Sequence, residues 1–108
     1  MRVLLDQGTP VAIRLALSEH AVRTAHELGW SALLNGELLK VAEEAGFDML
    51  LTTDTSLPHQ QNLSGRKLAV LVLSKNRWAL IKARLPEIVA AVTNAKPGTF
   101  SVVEIPER

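Results

Sequence analysis

Two aspartates close two apolar runs in this chain. Asp6 ends Val3-Leu4-Leu5-Asp6, and Asp54 ends Met49-Leu50-Leu51-Thr52-Thr53-Asp54. An ionised carboxylate at the end of a buried strand carries a large desolvation cost unless something compensates it. Two such groups in one small domain suggest a shared cation, and with it a metal-dependent reaction. Glu37, in Asn35-Gly36-Glu37, is a third acid, at the start of an apolar-periodic segment. Each acid also has a purely structural reading. Asp6 precedes Thr9 by three residues, so its charge could serve a helix dipole. Asp54 could close an Asx turn. Glu37 lies in a first helical turn, where the dipole favours acids. Thr52 or Thr53 could orient the Asp54 carboxylate, as a metal ligand requires.

The other polar groups narrow the chemistry. The histidines are His20, His26 and His59; none has helical metal-ligand spacing to another, and no zinc pattern occurs. His59, in His59-Gln60-Gln61-Asn62, follows Asp54 closely enough to orient a substrate or a water; an exposed loop position is the plainer reading. Ser56 and Ser74 lack a nucleophile-elbow context. No glycine-rich phosphate loop occurs, so nucleotide-cofactor binding is unsupported. With no cysteine in the chain, a disulfide and a thiolate-bound metal are both excluded. Hard oxygen ligands then favour Mg2+ or Mn2+. Arg66, Lys67, Lys75, Arg77, Lys82 and Arg84 fall in a stretch without an acid between Asp54 and Glu87. They form either a phosphate-facing patch or a set of solvated cations. The formal net charge of +1 does not choose between these.

The elements that position these groups alternate. Residues 2–6 read as a buried strand. Thr9-Pro10 predicts an N-cap and a first helical position, opening a helix over 10–18 with Val11, Leu15 and Ser18 on one stripe and Ile13 and Leu17 beside it. Residues 21–27 alternate as a partly exposed strand. Gly29-Trp30 breaks the chain. A helix runs from Asn35 and ends at Gly46, the site where positive φ is usual. Strands follow at 48–54 and 67–74, separated by a polar segment, 55–65. A long helix from Asn76 or Arg77 to Ala95 meets Pro86, which predicts a kink or two short helices. After the Lys96-Pro97-Gly98 turn comes a last strand, 100–105.

Such alternation, with near-continuous apolar strands, predicts an α/β fold whose parallel sheet is covered on both faces. The proposed strand order is 2-1-3-4-5. Its switch point lies between strands one and three, where ligands bind at the carboxyl edge. Asp6 and Asp54 end those two strands. The 108 residues, 47% hydrophobic, fit one domain over 1–108. No apolar run reaches the roughly 18 residues of a membrane span. The amino terminus lacks the charged-then-apolar pattern of a secretion signal, which makes the cytoplasm the expected compartment.

Together, Leu4-Leu5-Asp6, Asn35-Gly36-Glu37-Leu38-Leu39, Thr52-Thr53-Asp54 and Leu57-Pro58-His59-Gln60-Gln61-Asn62-Leu63 resemble the PIN-like domain family. The likeness covers nearly the whole chain and is nearest to a small bacterial subgroup related to the toxin nucleases of toxin–antitoxin pairs. It implies a three-layer α/β/α sandwich and Mg2+- or Mn2+-dependent hydrolysis of RNA phosphodiesters. It implies Asp6, Glu37 and Asp54 as metal ligands and catalytic acids, with Thr52, Ser56, His59 and Asn62 as candidate supporting or substrate contacts. Arg66, Lys67, Lys75 and Arg77 would then face the RNA backbone. It also implies an antitoxin protein as a partner.

Two departures bear on activity. Many family members carry a further acid or an asparagine two residues after the third acid, where this chain has Ser56. Many read Asp-Glu-Asn at the first motif, where this chain has Asp6-Gln7-Gly8. Fewer carboxylates mean weaker metal affinity. A non-catalytic module for RNA or protein binding is therefore the alternative expectation. A receiver-like domain phosphorylated at Asp54 is a third, without the paired acids and terminal lysine it would need. Trp30 and Trp78 suggest a homodimer surface if they are incompletely buried, although aromatic residues are more often core than interface.

Overall fold

A computed structural model describes residues 1–107. Five parallel strands form one sheet in the order β2-β1-β3-β4-β5. They are β1 (Arg2–Leu5), β2 (Ala21–Thr24), β3 (Met49–Thr52), β4 (Ala69–Leu73) and β5 (Phe100–Val103). The expected strand order holds, so the switch point lies between β1 and β3. Every residue of β3 and β4 is buried, which explains their unbroken apolar runs.

Side chains alternate across the sheet and sort the core into two layers. Val3, Leu5, Met49, Leu51, Leu71 and Leu73 face a 3-10 helix (Val11–Leu17) and two helices near the carboxyl end of the chain. Those helices are α3 (Trp78–Lys82) and α4 (Leu85–Asn94). Leu4, Leu50, Val70 and Val72 face α1 (Asn35–Glu44) and α2 (Leu57–Gln60). The break between α3 and α4 falls at Arg84, and Pro86 sits in the first turn of α4, where its missing N–H costs nothing.

Several expectations need correction. The segment after β1 is a 3-10 helix and not an α-helix. It must return the chain across a four-residue strand, about 13 Å long. Seven residues of 3-10 helix rise about 14 Å; the same residues in an α-helix rise about 10.5 Å. Its buried residues are Ile13 and Leu17, while Val11 and Leu15 of the expected stripe are exposed. Thr9 does not cap it: the hydroxyl donates to the Leu51 carbonyl of β3. The second strand ends at Thr24, three residues early, because Glu27 folds back to accept the Thr24 N–H while Thr24 Oγ1 accepts the Glu27 N–H. Finally, the polar segment contains α2, held down by Leu57 and followed by buried Leu63.

Gly46 ends α1 as expected, with φ +83 and its N–H donated to Glu43. Trp30 and Trp78 are half-buried and pack against the two core layers; Trp30 meets Phe47 edge-on with ring centroids 6.1 Å apart. No helix among the described residues is long and apolar enough to cross a membrane.

Candidate functional site

Asp6 and Asp54 follow β1 and β3 with the same parity as Leu4 and Leu50. Both carboxylates therefore project from the carboxyl edge on the α1 side. Thr52 joins them. Its hydroxyl, fully buried, donates to Asp6 Oδ2 at 2.8 Å and accepts the Asp54 N–H at 3.1 Å. The adjacency inferred from strand order is thus realised through one shared side chain. The remaining Asp6 oxygen, Oδ1, accepts the Gln7 N–H at 2.8 Å.

Asp54 is held on two sides. Oδ1 accepts from Ser56 Oγ at 2.6 Å and from the Ser56 N–H at 3.0 Å. This is the Asx turn, so the structural reading of Asp54 is also present. Oδ2 accepts from Asn35 Nδ2 at 2.9 Å. A helix that precedes a parallel strand runs antiparallel to it, which brings the first turn of α1 to this edge. The Ser56 hydroxyl, then the Asn35 amide, hold the Asp54 carboxyl below the usual carboxylate range, against the opposing effect of burial. A carboxylate offers about four lone-pair sites, and these bonds leave some of them unused on both aspartates. Among the described residues neither aspartate has an ion-pair partner.

No protein-family model, no curated protein and no solved structure matches this chain.

The third acid is placed differently. Glu37 is exposed, and its Oε1 accepts the Leu34 N–H at 3.2 Å, capping its own helix. Among the described residues no three His, Asp or Glu side chains are grouped as a metal site. Ser56 supports Asp54 directly. Of the two threonines, Thr52 makes the contacts, but its hydroxyl donates to the Asp6 carboxylate and not, as expected, to that of Asp54. His59 is exposed on α2, and Asn62 spends its Oδ1 on the N–H of Ser64. The donors at the switch point are all oxygen, which suits a hard divalent cation.

The acid-free basic stretch is divided by β4. Arg66 and Lys67 precede the strand and lie at the amino edge, where Arg66 pairs with Glu43 at 3.3 Å. Lys75 and Arg77 follow it, at the same edge as the aspartates; Lys75 pairs with Glu107 at 3.4 Å and Arg77 is exposed. Five strand residues, about 16 Å, separate the two pairs, so they are not one patch. A recess of about 360 Å³ also lies at the amino edge, lined by Glu43, Gly46, Phe47, Asp48, Lys67 and Pro97. It is remote from both aspartates.

One site residue, Asn35, escaped sequence reasoning, and the fold places Gln61 beside it. Asn35 reads as a helix opener, and only the fold turns its amide onto Asp54. Gln61 lies over the start of α1, where a Cβ on Gly36 would stand 3.0 Å from Gln61 Oε1. The Asn-Gly pair preceding Glu37 was the available signal: a glycine inside a helical turn implies close approach by another group.

Proposed function

We propose that this chain is a PIN-like, Mg2+- or Mn2+-dependent ribonuclease that hydrolyses RNA phosphodiesters, of the kind found as the toxin of a toxin–antitoxin pair. The observation that carries this reading is the pair of aspartates bound to one buried threonine at the switch point, without an ion-pair partner among the described residues. Asp6 and Asp54 would hold the cation. Glu37, two residues along α1 from Asn35, would complete the set by giving up its cap on Leu34. When bound, a divalent cation there supplies an activated water and stabilises charge on phosphoryl oxygens. The chain's own residues do the positioning. Thr52 holds the Asp6 carboxylate beside the Asp54 backbone, and Ser56 and Asn35 keep Asp54 ionised and aimed. Arg77 and Lys75 lie at the same edge to meet the RNA backbone.

Incubating the chain with single-stranded RNA and Mn2+ tests this. Cleavage is expected in wild type and lost in Asp6→Asn and Asp54→Asn, with both variants folded. Unfolding of both would make the acids structural and end the proposal.

One observation favours a second reading, a PIN-like module that binds RNA or protein without catalysis. Glu37 is engaged in capping, and among the described residues no third acid joins the aspartates. RNA binding without cleavage and without any metal requirement would support that module.

A further inference from the structure

β5 is an outer strand of the sheet, and among the described residues no strand pairs with its free edge. Residues Thr99 to Val103 include no charge and no proline, the usual devices that keep an edge from pairing. The opposite edge strand is different. β2 carries Arg23, which with Arg14 converges on Glu27 at its end. On β5, Phe100 is 49% exposed and Val102 45%. Their register partners Val70 and Val72 are buried in the α1 and α2 layer, so those helices stop short of the last strand.

The hydrogen-bonding direction of β5 is fixed by its neighbour. The carbonyls of Thr99 and Val103 accept from Val70 and Ser74. Alternation then turns the polar backbone groups of Ser101 toward β4 and those of Phe100 and Val102 outward. The two residues with free backbone groups are therefore the two with exposed apolar side chains.

We propose that β5 pairs antiparallel with β5 of a second copy of this chain, about a twofold axis at Ser101. In that register Phe100 lies opposite the partner's Val102 and exchanges both backbone hydrogen bonds with it, and the symmetric pair does the same. Aromatic and β-branched residues opposite one another are a favourable cross-strand combination. The charges that flank the strand agree. Lys96 precedes it and Glu104 follows it, so antiparallel apposition brings each toward its opposite at both ends, whereas a parallel arrangement would set like beside like. An isologous pairing also closes on itself and consumes the exposed edge. The half-buried tryptophans take no part.

Sedimentation of the full chain over a range of concentrations up to millimolar gives the first readout. The expected species has twice the 11.8 kDa mass of one chain. Val102→Lys places a charge in both symmetric pairs and should weaken the dimer on the order of tenfold, with an unchanged circular dichroism spectrum. Ser101→Cys gives a second, independent test, since the chain has no other cysteine. Residues in a non-hydrogen-bonded antiparallel pair have Cα atoms about 4.5 Å apart, within disulfide range. Mild oxidation should cross-link this variant rapidly and the exposed Ser18→Cys control slowly. A monomer at every concentration overturns the proposal. So does an open-ended filament, binding of only a foreign extended peptide, or a dimer that survives Val102→Lys and cross-links no faster at position 101 than at position 18.

Discussion

Thr52 is the residue on which the site turns. Its hydroxyl donates to the Asp6 carboxylate and accepts the Asp54 N–H, and it reaches both because β1 and β3 are neighbours. Ser56 acts on one of them alone. Its hydroxyl and N–H hold the Asp54 carboxyl below the usual range. A lowered pKa stabilises the folded state above the unfolded value, near 3.8, and that stability is lost as pH falls through the folded value. Ser56→Ala should therefore cost about 1 kcal/mol at neutral pH, with the difference from wild type closing below the ordinary aspartate range. Urea unfolding of both proteins at neutral pH and at acid pH measures this. A gap that stays constant with pH would detach Ser56 from the ionisation of Asp54. Part of this residue-scale picture was legible beforehand: an acid ends each of two apolar runs, but the threonine expected to orient the Asp54 carboxylate donates instead to that of Asp6. Thr9 was not legible. Its local context says N-cap, but its partner is Leu51, 42 positions away, and no local rule reports such a contact.

At the scale of elements, α1 decides whether the site holds two acids or three. Its first turn delivers Asn35 to Asp54 and keeps Glu37 on the Leu34 N–H. Glu37→Gln separates the two roles of that residue, because a glutamine can still accept the capping bond but loses the charge. Under the nuclease reading the variant should keep its thermal stability and lose on the order of tenfold in Mn2+ affinity, a change of about 1.4 kcal/mol. Unchanged affinity in the folded variant would confine Glu37 to capping. The sheet and α1 were legible because their apolar periods are long enough to set apart strand and helix. The 3-10 segment was not, since the distance it must span favours the longer rise, and that distance is invisible before β1 and β2 are paired. α2 is four residues long, too short to display a period.

Across the whole molecule, the strand order does what the sequence predicts and sets which groups can meet. Parallel strands gather the carboxyl ends at one edge, so residues on either side of one strand are carried apart. Arg66 and Lys67 are thereby removed from the aspartates, while Lys75 and Arg77 are brought to their edge. Proximity in sequence had left one patch and separate solvated cations as alternatives. Arg77→Ala, made in the non-cleaving Asp54→Asn background, should weaken single-stranded RNA binding and reduce the salt slope by about 0.7 for one lost phosphate contact. Lys67→Ala in the same background should change neither. Titrations over a series of salt concentrations give both slopes, and equal effects from the two variants would mean that RNA does not follow the carboxyl edge.

The central claim is that Asp6 and Asp54 hold a divalent cation. Calorimetric titration of Mn2+ into the folded wild type and into folded Asp54→Asn tests it without knowledge of the RNA. Saturable binding to wild type that is lost in Asp54→Asn is the predicted result. Absence of binding to the folded wild type at millimolar Mn2+, or equal binding by both proteins, would contradict it.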